Sequence, residues 1–79
     1  MTYVGKGYGD RDGNDGKYGL NQAQCLAWCK EKYLQDNSWN GCAHKASSNN
    51  HCERHKNVRG FHADNRYDFW RLGENLFVF

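Results

Sequence analysis

The feature that most constrains the fold of this chain is its set of four cysteines, Cys25, Cys29, Cys42 and Cys52. A chain of 79 residues buries a modest fraction of its surface, so disulfides or a bound metal often supply part of its stability. Four cysteines in a short chain favour a disulfide framework and an oxidising compartment. Three pairings are possible, and this spacing alone leaves all three open.

Zinc is the alternative use of these cysteines. Zinc sites combine short cysteine pairs with a second pair of cysteines or histidines. Here the cysteine spacing is C-x3-C-x12-C-x9-C, and His51 and His55 have an H-x3-H spacing with no second cysteine pair beside them. We therefore expect disulfides and no bound metal or other cofactor.

Residues 21–35 have the pattern of a helix that is apolar on one side. Asn21 suits the N-cap position and Gln24 can complete a capping box. Cys25 and Cys29 lie one turn apart, so both sulfur atoms face the surface on which the helix packs. Turn-forming residues at 36–38 predict the end of the helix.

The rest of the chain predicts strands and turns. Residues 39–56 have the pattern of a hairpin with a turn at 47–50, and Cys42 and Cys52 share one face of it. Residues 57–66 are expected to form a loop and residues 67–72 a strand. The domain boundaries expected within a single domain of residues 1–79 are a Gly/Tyr/Asp-rich lead at 1–19, a core at 20–72 and a closing strand at 73–79.

The Gly/Tyr/Asp-rich lead is expected to consist mainly of turns, with a short edge strand beginning at Tyr3. An exposed edge at Tyr3–Gly7 would allow weak self-association. The stretch from Asp10 resembles a calcium loop, but Asp15 stands where an EF-hand needs glycine and Asn21 where it needs glutamate. A turn stabilised by Asn and Asp side chains is the better interpretation. The predicted fold class is α+β, with one helix at about 21–35 packed on an antiparallel sheet.

These pieces resemble the PAN/apple domain over residues 20–72. The matching segments are Ala23-Gln-Cys-Leu-Ala-Trp-Cys29, Asn40-Gly-Cys42, His51-Cys-Glu53 and Tyr67-Asp-Phe-Trp70. The resemblance implies a curved antiparallel sheet crossed by one helix, with bridges Cys25–Cys52 and Cys29–Cys42. It also implies a role as an extracellular binding module. The chain departs from many apple domains in lacking a third bridge between its termini.

Composition excludes several classes of function. The formal net charge is +2, which is too balanced for an obligate nucleic-acid binder. No apolar run approaches the roughly 18–20 residues needed to span a bilayer. No signal peptide precedes Thr2, so localisation is inferred from the cysteines, and we expect a mature, secreted protein.

No constellation typical of an enzyme is present in the sequence. The glycines flank no serine nucleophile, and each cysteine has a good bridging partner. Four histidines fall at positions 44, 51, 55 and 62, where they form either a metal or pH-sensitive site or an ordinary polar surface. We expect a protein that is not an enzyme.

A basic segment follows the helix and is the best candidate for a binding surface. Arg and Lys side chains can hold sulfate or carboxylate, and aromatic rings can stack on sugars. The candidate ligand-binding residues are Lys45, Arg54, His55, Lys56, Arg59, Arg66 and Trp70. The expected partner is a glycan, possibly sulfated, or an extracellular protein. A secreted defence or toxin-like protein is the alternative, followed by a metal-binding structural module.

Overall fold

The computed structural model describes residues 1–73 and contains one helix and five strands. Residues 74–79, which include most of the closing strand predicted at 73–79, lie outside the described part. The elements are β1 (Thr2–Asp10), β2 (Gly13–Lys17), α1 (Gln22–Gln35), β3 (Gly41–Lys45), β4 (His51–Lys56) and β5 (Gly60–Arg71). The strands form one antiparallel sheet in the order β1-β5-β3-β4-β2. The prediction of one helix packed on an antiparallel sheet is confirmed, although the sheet holds more residues than the helix.

The helix α1 begins and ends where its local sequence predicts. The Asn21 side chain accepts a hydrogen bond from the Gln24 backbone N–H, and the Gln24 side chain accepts one from the Asn21 backbone N–H, both at 2.9 Å. At the other end, Asp36 donates its backbone N–H to the Lys32 carbonyl. The helix has 14 residues. No helix in residues 1–73 is long and apolar enough to cross a bilayer.

Two disulfides hold α1 to the middle of the sheet. They join Cys25 to Cys52 and Cys29 to Cys42, the pairs that the PAN/apple resemblance implies. The predicted hairpin is present as β3 and β4. All four cysteines are at most 1% exposed and form one core cluster with Trp70 and Leu72. The disulfides therefore constitute most of the core on the helix side of the sheet.

Two predictions about the remaining chain were wrong. The lead is not mainly turns, because its residues form both edge strands: β1 pairs with β5 on either side of an irregularity at residues 64–67, and β2 pairs with β4. The predicted loop at 57–66 is a loop only to Arg59, since β5 begins at Gly60. The glycines of β1 allow close packing. A Cβ at Gly9 would lie 2.9 Å from the Phe69 ring, and such close approach is a known role of glycine in strands.

The connection from β1 to β2 requires the sheet to curve. These strands form opposite edges of the sheet, yet only Arg11 and Asp12 separate them. Two backbone hydrogen bonds fix the connection, from Arg59 N–H to the Asp10 carbonyl and from Asp12 N–H to the Lys56 carbonyl. The curvature brings Arg11 within reach of β4.

A second core cluster lies apart from the disulfides. Ala43, Val58 and Phe69 are buried in it. Val4, Tyr8, Phe61 and Tyr67 are partly buried against them. Alternation along β4 directs Glu53 and His55 to the face opposite the helix, while Cys52 and Arg54 face the helix. The polar and aromatic groups of this second face form the candidate site.

Candidate ligand-binding cavity

A cavity of about 370 Å³ lies beside the second core cluster. It is lined by Tyr8, Arg11, Glu53, Arg66 and Tyr67. These residues come from β1, the β1–β2 connection, β4 and β5. The cavity therefore depends on sheet pairing between segments that are distant in the sequence.

Glu53 is the most buried of the lining residues, at 8% exposure. Its Oε1 lies 3.0 Å from His55 Nε2 and 3.6 Å from Arg11 Nη2, while its Oε2 lies 3.5 Å from His51 Nδ1. Burial by itself would raise the pKa of Glu53. The hydrogen bond with His55 and the neighbouring positive groups outweigh burial and lower that pKa below its usual value. The cavity thus contains an ionised carboxylate that can accept hydrogen bonds.

His55 supports this carboxylate from inside the protein. It is 0% exposed and its ring stacks on Phe69, with centroids 5.7 Å apart. Burial lowers the pKa of His55 against the opposing effect of the Glu53 hydrogen bond. A neutral imidazole donates from one nitrogen only, so Nε2 donates to Glu53. The other nitrogen, Nδ1, has no hydrogen-bond partner within residues 1–73.

Two tyrosine rings form the aromatic part of the cavity, and cations surround them. The Tyr8 and Tyr67 rings meet edge to face with centroids 5.7 Å apart. Arg11 lies 5.5 Å from the Tyr8 ring centre, while Lys45 Nζ and Arg66 Cζ lie 5.5 and 5.9 Å from that of Tyr67. Burial, reinforced by the Glu53 charge, raises the pKa of Tyr67, so its hydroxyl stays protonated at neutral pH.

Arg66 is oriented by a neighbouring carboxylate. Its Nε and Nη2 atoms lie 2.9 and 2.6 Å from the two oxygens of Asp64. These hydrogen bonds lower the pKa of Asp64 to about 2. Arg66 is therefore held at the cavity, and its Nε and Nη2 atoms already donate hydrogen bonds to Asp64.

The predicted site residues do not form one patch in the structure. Lys45 and Arg66 lie beside Tyr67, and His55 lies beneath Glu53. Arg59 is elsewhere, paired with Asp12 at the β1–β2 connection.

The other three predicted site residues, Arg54, Lys56 and Trp70, belong to the helix side of the sheet. Arg54 pairs with Asp15 and lies 3.7 Å from the centre of the Trp28 ring. Lys56 Nζ lies 5.9 Å from the centre of the Trp39 ring. Trp70 is 8% exposed and belongs to the core cluster around the disulfides.

Sequence reasoning missed Tyr8 and Arg11 as site residues. Both belong to the lead, where the frequent glycines predict turns although the segment forms strands. Glu53 and Tyr67 lie in segments quoted for the PAN/apple resemblance, but nothing local to them indicated that they would meet. The alternation of His51, Glu53 and His55 along β4 was the one readable signal, because residues two apart in a strand share a face.

Comparisons with protein-family models, with curated proteins and with solved structures find no match to this chain. The PAN/apple resemblance therefore rests on the motifs quoted above, and it stays a prediction.

Proposed function

We propose that this protein is a secreted carbohydrate-binding module that holds one sugar ring in the cavity. The observation that carries the proposal is the juxtaposition of the buried, ionised carboxylate of Glu53 with the Arg11 guanidinium and the rings of Tyr8 and Tyr67. A sugar offers hydroxyl groups to the first two and a C–H face to the aromatic pair.

The size and polarity of the cavity support this class of ligand. Its volume of about 370 Å³ falls at the small end of the range of roughly 300–1,000 Å³ typical of ligand pockets. Glu53 can accept hydrogen bonds from hydroxyls, and Arg11 can donate to ring or hydroxyl oxygens. Tyrosine combines an apolar ring with a polar tip, which suits a ligand that has both characters.

The charges around the cavity favour a sugar with an acidic substituent. Glu53 is compensated by Arg11 and Asp64 by Arg66, so Lys45 at the Tyr67 side supplies the excess positive charge. Guanidinium and ammonium groups bind sulfate and carboxylate through charge-assisted hydrogen bonds. We expect a sulfated or uronate-containing saccharide to bind more tightly than a neutral one.

One feature supports secretion, and a second supports ligand binding rather than catalysis. Paired disulfides are typical of proteins in oxidising compartments. The lowered pKa of Glu53 makes its carboxylate an acceptor rather than a proton donor at neutral pH, which favours binding over acid catalysis.

Titration calorimetry with a heparin-derived tetrasaccharide and with neutral cellotetraose tests the proposal. We expect the acidic saccharide to bind, and Tyr67→Ala or Glu53→Gln to weaken it at least tenfold, which is about 1.4 kcal/mol. The matched control is the triple variant Arg54→Ala, Lys56→Ala and Arg59→Ala, which should retain binding because none of these residues lines the cavity.

Absence of binding to both saccharides by the wild-type protein would contradict the carbohydrate proposal. Loss of binding in the triple variant with retention in Tyr67→Ala would refute the cavity as its location and restore the basic segment predicted from the sequence.

A further inference from the structure

The two disulfides are in contact with each other. Cys25 Sγ lies 3.7 Å from Cys42 Sγ, although these two cysteines belong to different bridges. All four sulfur atoms lie within 4.8 Å of one another, and all four residues are at most 1% exposed. The core thus contains a compact, dry cluster of four sulfur ligands.

We propose that reduction of both bridges converts this cluster into a tetrahedral four-cysteine zinc site. The fold would then be held by disulfides under oxidising conditions and by zinc under reducing conditions. Zinc–sulfur bonds of about 2.3 Å place the sulfurs of a tetrahedral site about 3.8 Å apart. The Cys25–Cys42 contact already has that separation, and rotation of the side chains can adjust the others.

The elements that carry the ligands are held in place by other interactions. Cys25 and Cys29 lie one turn apart in α1, whose backbone hydrogen bonds and capping box are independent of the bridges. Cys42 and Cys52 lie on adjacent strands of the central hairpin, β3 and β4. Two ligands from a helix and two from a hairpin therefore converge without either element needing to be rebuilt.

One cation lies on the same face of the sheet as the cluster, with its Nη2 atom already paired with Asp15. Four thiolates around Zn²⁺ carry a net charge of −2, which a buried site must compensate. Arg54 is paired in register with Cys42 and faces the helix side of the sheet. Its Nε atom is buried and has no hydrogen-bond partner within residues 1–73.

The conversion of disulfides to thiols needs a reductant that supplies two electrons for each bridge. A water-soluble phosphine gives two electrons to each disulfide and leaves as its oxide, taking its oxygen from water. The two hydrogens of that water complete the two thiols. Zinc binding then releases protons from the thiols, so the affinity should rise with pH.

Cobalt(II) is a suitable spectroscopic probe because it occupies the same tetrahedral thiolate sites and absorbs visible light there. After reduction with the phosphine, we expect one Co²⁺ per chain, displaced by Zn²⁺. In the zinc-loaded form, the tryptophan bands of the near-ultraviolet circular dichroism spectrum should match those of the oxidised protein. Trp70, which packs against the cluster, makes that spectrum sensitive to the native core. The oxidised protein in the same metal solution is the matched control and should show no tetrahedral absorption.

The variant Cys42→Ser tests how many sulfur atoms bind the metal. Reduced Cys42→Ser keeps three thiolates, so its sulfur-to-cobalt charge-transfer absorption should fall by about a quarter.

Two results would overturn the proposal. One is the absence of tetrahedral cobalt absorption in the reduced protein. The other is tetrahedral cobalt absorption without recovery of the native tryptophan bands in the zinc-loaded form, because the metal would then be bound by an unfolded chain rather than by this fold.

Discussion

Removal of either disulfide by paired alanine substitution should cost a similar amount of stability, although the bridges close loops of different length. Cys29–Cys42 spans 13 residues and Cys25–Cys52 spans 27. The shorter loop is nested inside the longer one. The four side chains are equally buried, so the lost packing should be similar for the two pairs.

The chain-entropy model of disulfides gives the magnitude. Considered alone, the inner bridge should contribute about 2.9 kcal/mol and the outer bridge about 3.5 kcal/mol. With the inner bridge intact, however, the chain path from Cys25 to Cys52 crosses that bridge and shortens to about 14 residues, which lowers the outer contribution to about 3.0 kcal/mol. The two bridges together then contribute about 5.9 kcal/mol. Deleting the outer bridge leaves the inner bridge alone and should cost about 3.0 kcal/mol, whereas deleting the inner bridge leaves the outer bridge alone and should cost about 2.4 kcal/mol.

Urea unfolding of the wild-type protein, Cys25→Ala/Cys52→Ala and Cys29→Ala/Cys42→Ala measures these free energies. We expect the outer-pair variant to lose about 0.6 kcal/mol more than the inner-pair variant and both to retain a folded state at low temperature. A loss for the outer pair that exceeds the inner by more than about 1 kcal/mol, or a larger loss for the inner pair, would refute the loop-entropy reasoning. A loss under about 1 kcal/mol for either would contradict the structural importance of the bridges.

Three further predictions concern packing and pH. Gly41→Ala should destabilise the fold by about 1–3 kcal/mol in urea unfolding, because its Cβ would lie 2.5 Å from Val58 Cγ2. Combination with Val58→Ala should cost less than the sum of the single changes. The free energy of unfolding should fall as pH drops through 6.5 towards the lower pKa of His55 in the folded state, because the unfolded chain binds a proton at His55 more readily. His55→Gln should remove this pH dependence. The Asp64 carboxyl should titrate near pH 2 by NMR and return towards 3.8 in Arg66→Ala.

The helix and its attachment could be predicted because their signals are local. A capping box needs residues three apart, and two cysteines four apart on a helix face one side whatever the tertiary structure. The strands of the lead could not be predicted in this way. Gly5, Gly7 and Gly9 lower strand propensity, and β1 exists because it pairs with β5, more than fifty residues away.

The basic segment predicted as a binding surface is not one patch in the structure, because its charges have partners that the sequence does not reveal. Two of the basic residues after the helix are paired with acidic residues from the lead. Arg54 pairs with Asp15 and Arg59 with Asp12. The cavity in turn depends on the curvature of the sheet at the β1–β2 connection, and the periodicity of the sequence does not predict that curvature.

The most direct test of the cavity as the binding site is a titration of ¹⁵N-labelled protein with the heparin-derived tetrasaccharide, followed by two-dimensional NMR. We expect the largest amide shifts at Tyr8, Arg11, Glu53 and Tyr67, with little change along α1. Shifts concentrated around Arg54 and the exposed surface of the helix, or no shifts at millimolar saccharide, would contradict the assignment of the cavity as a carbohydrate site.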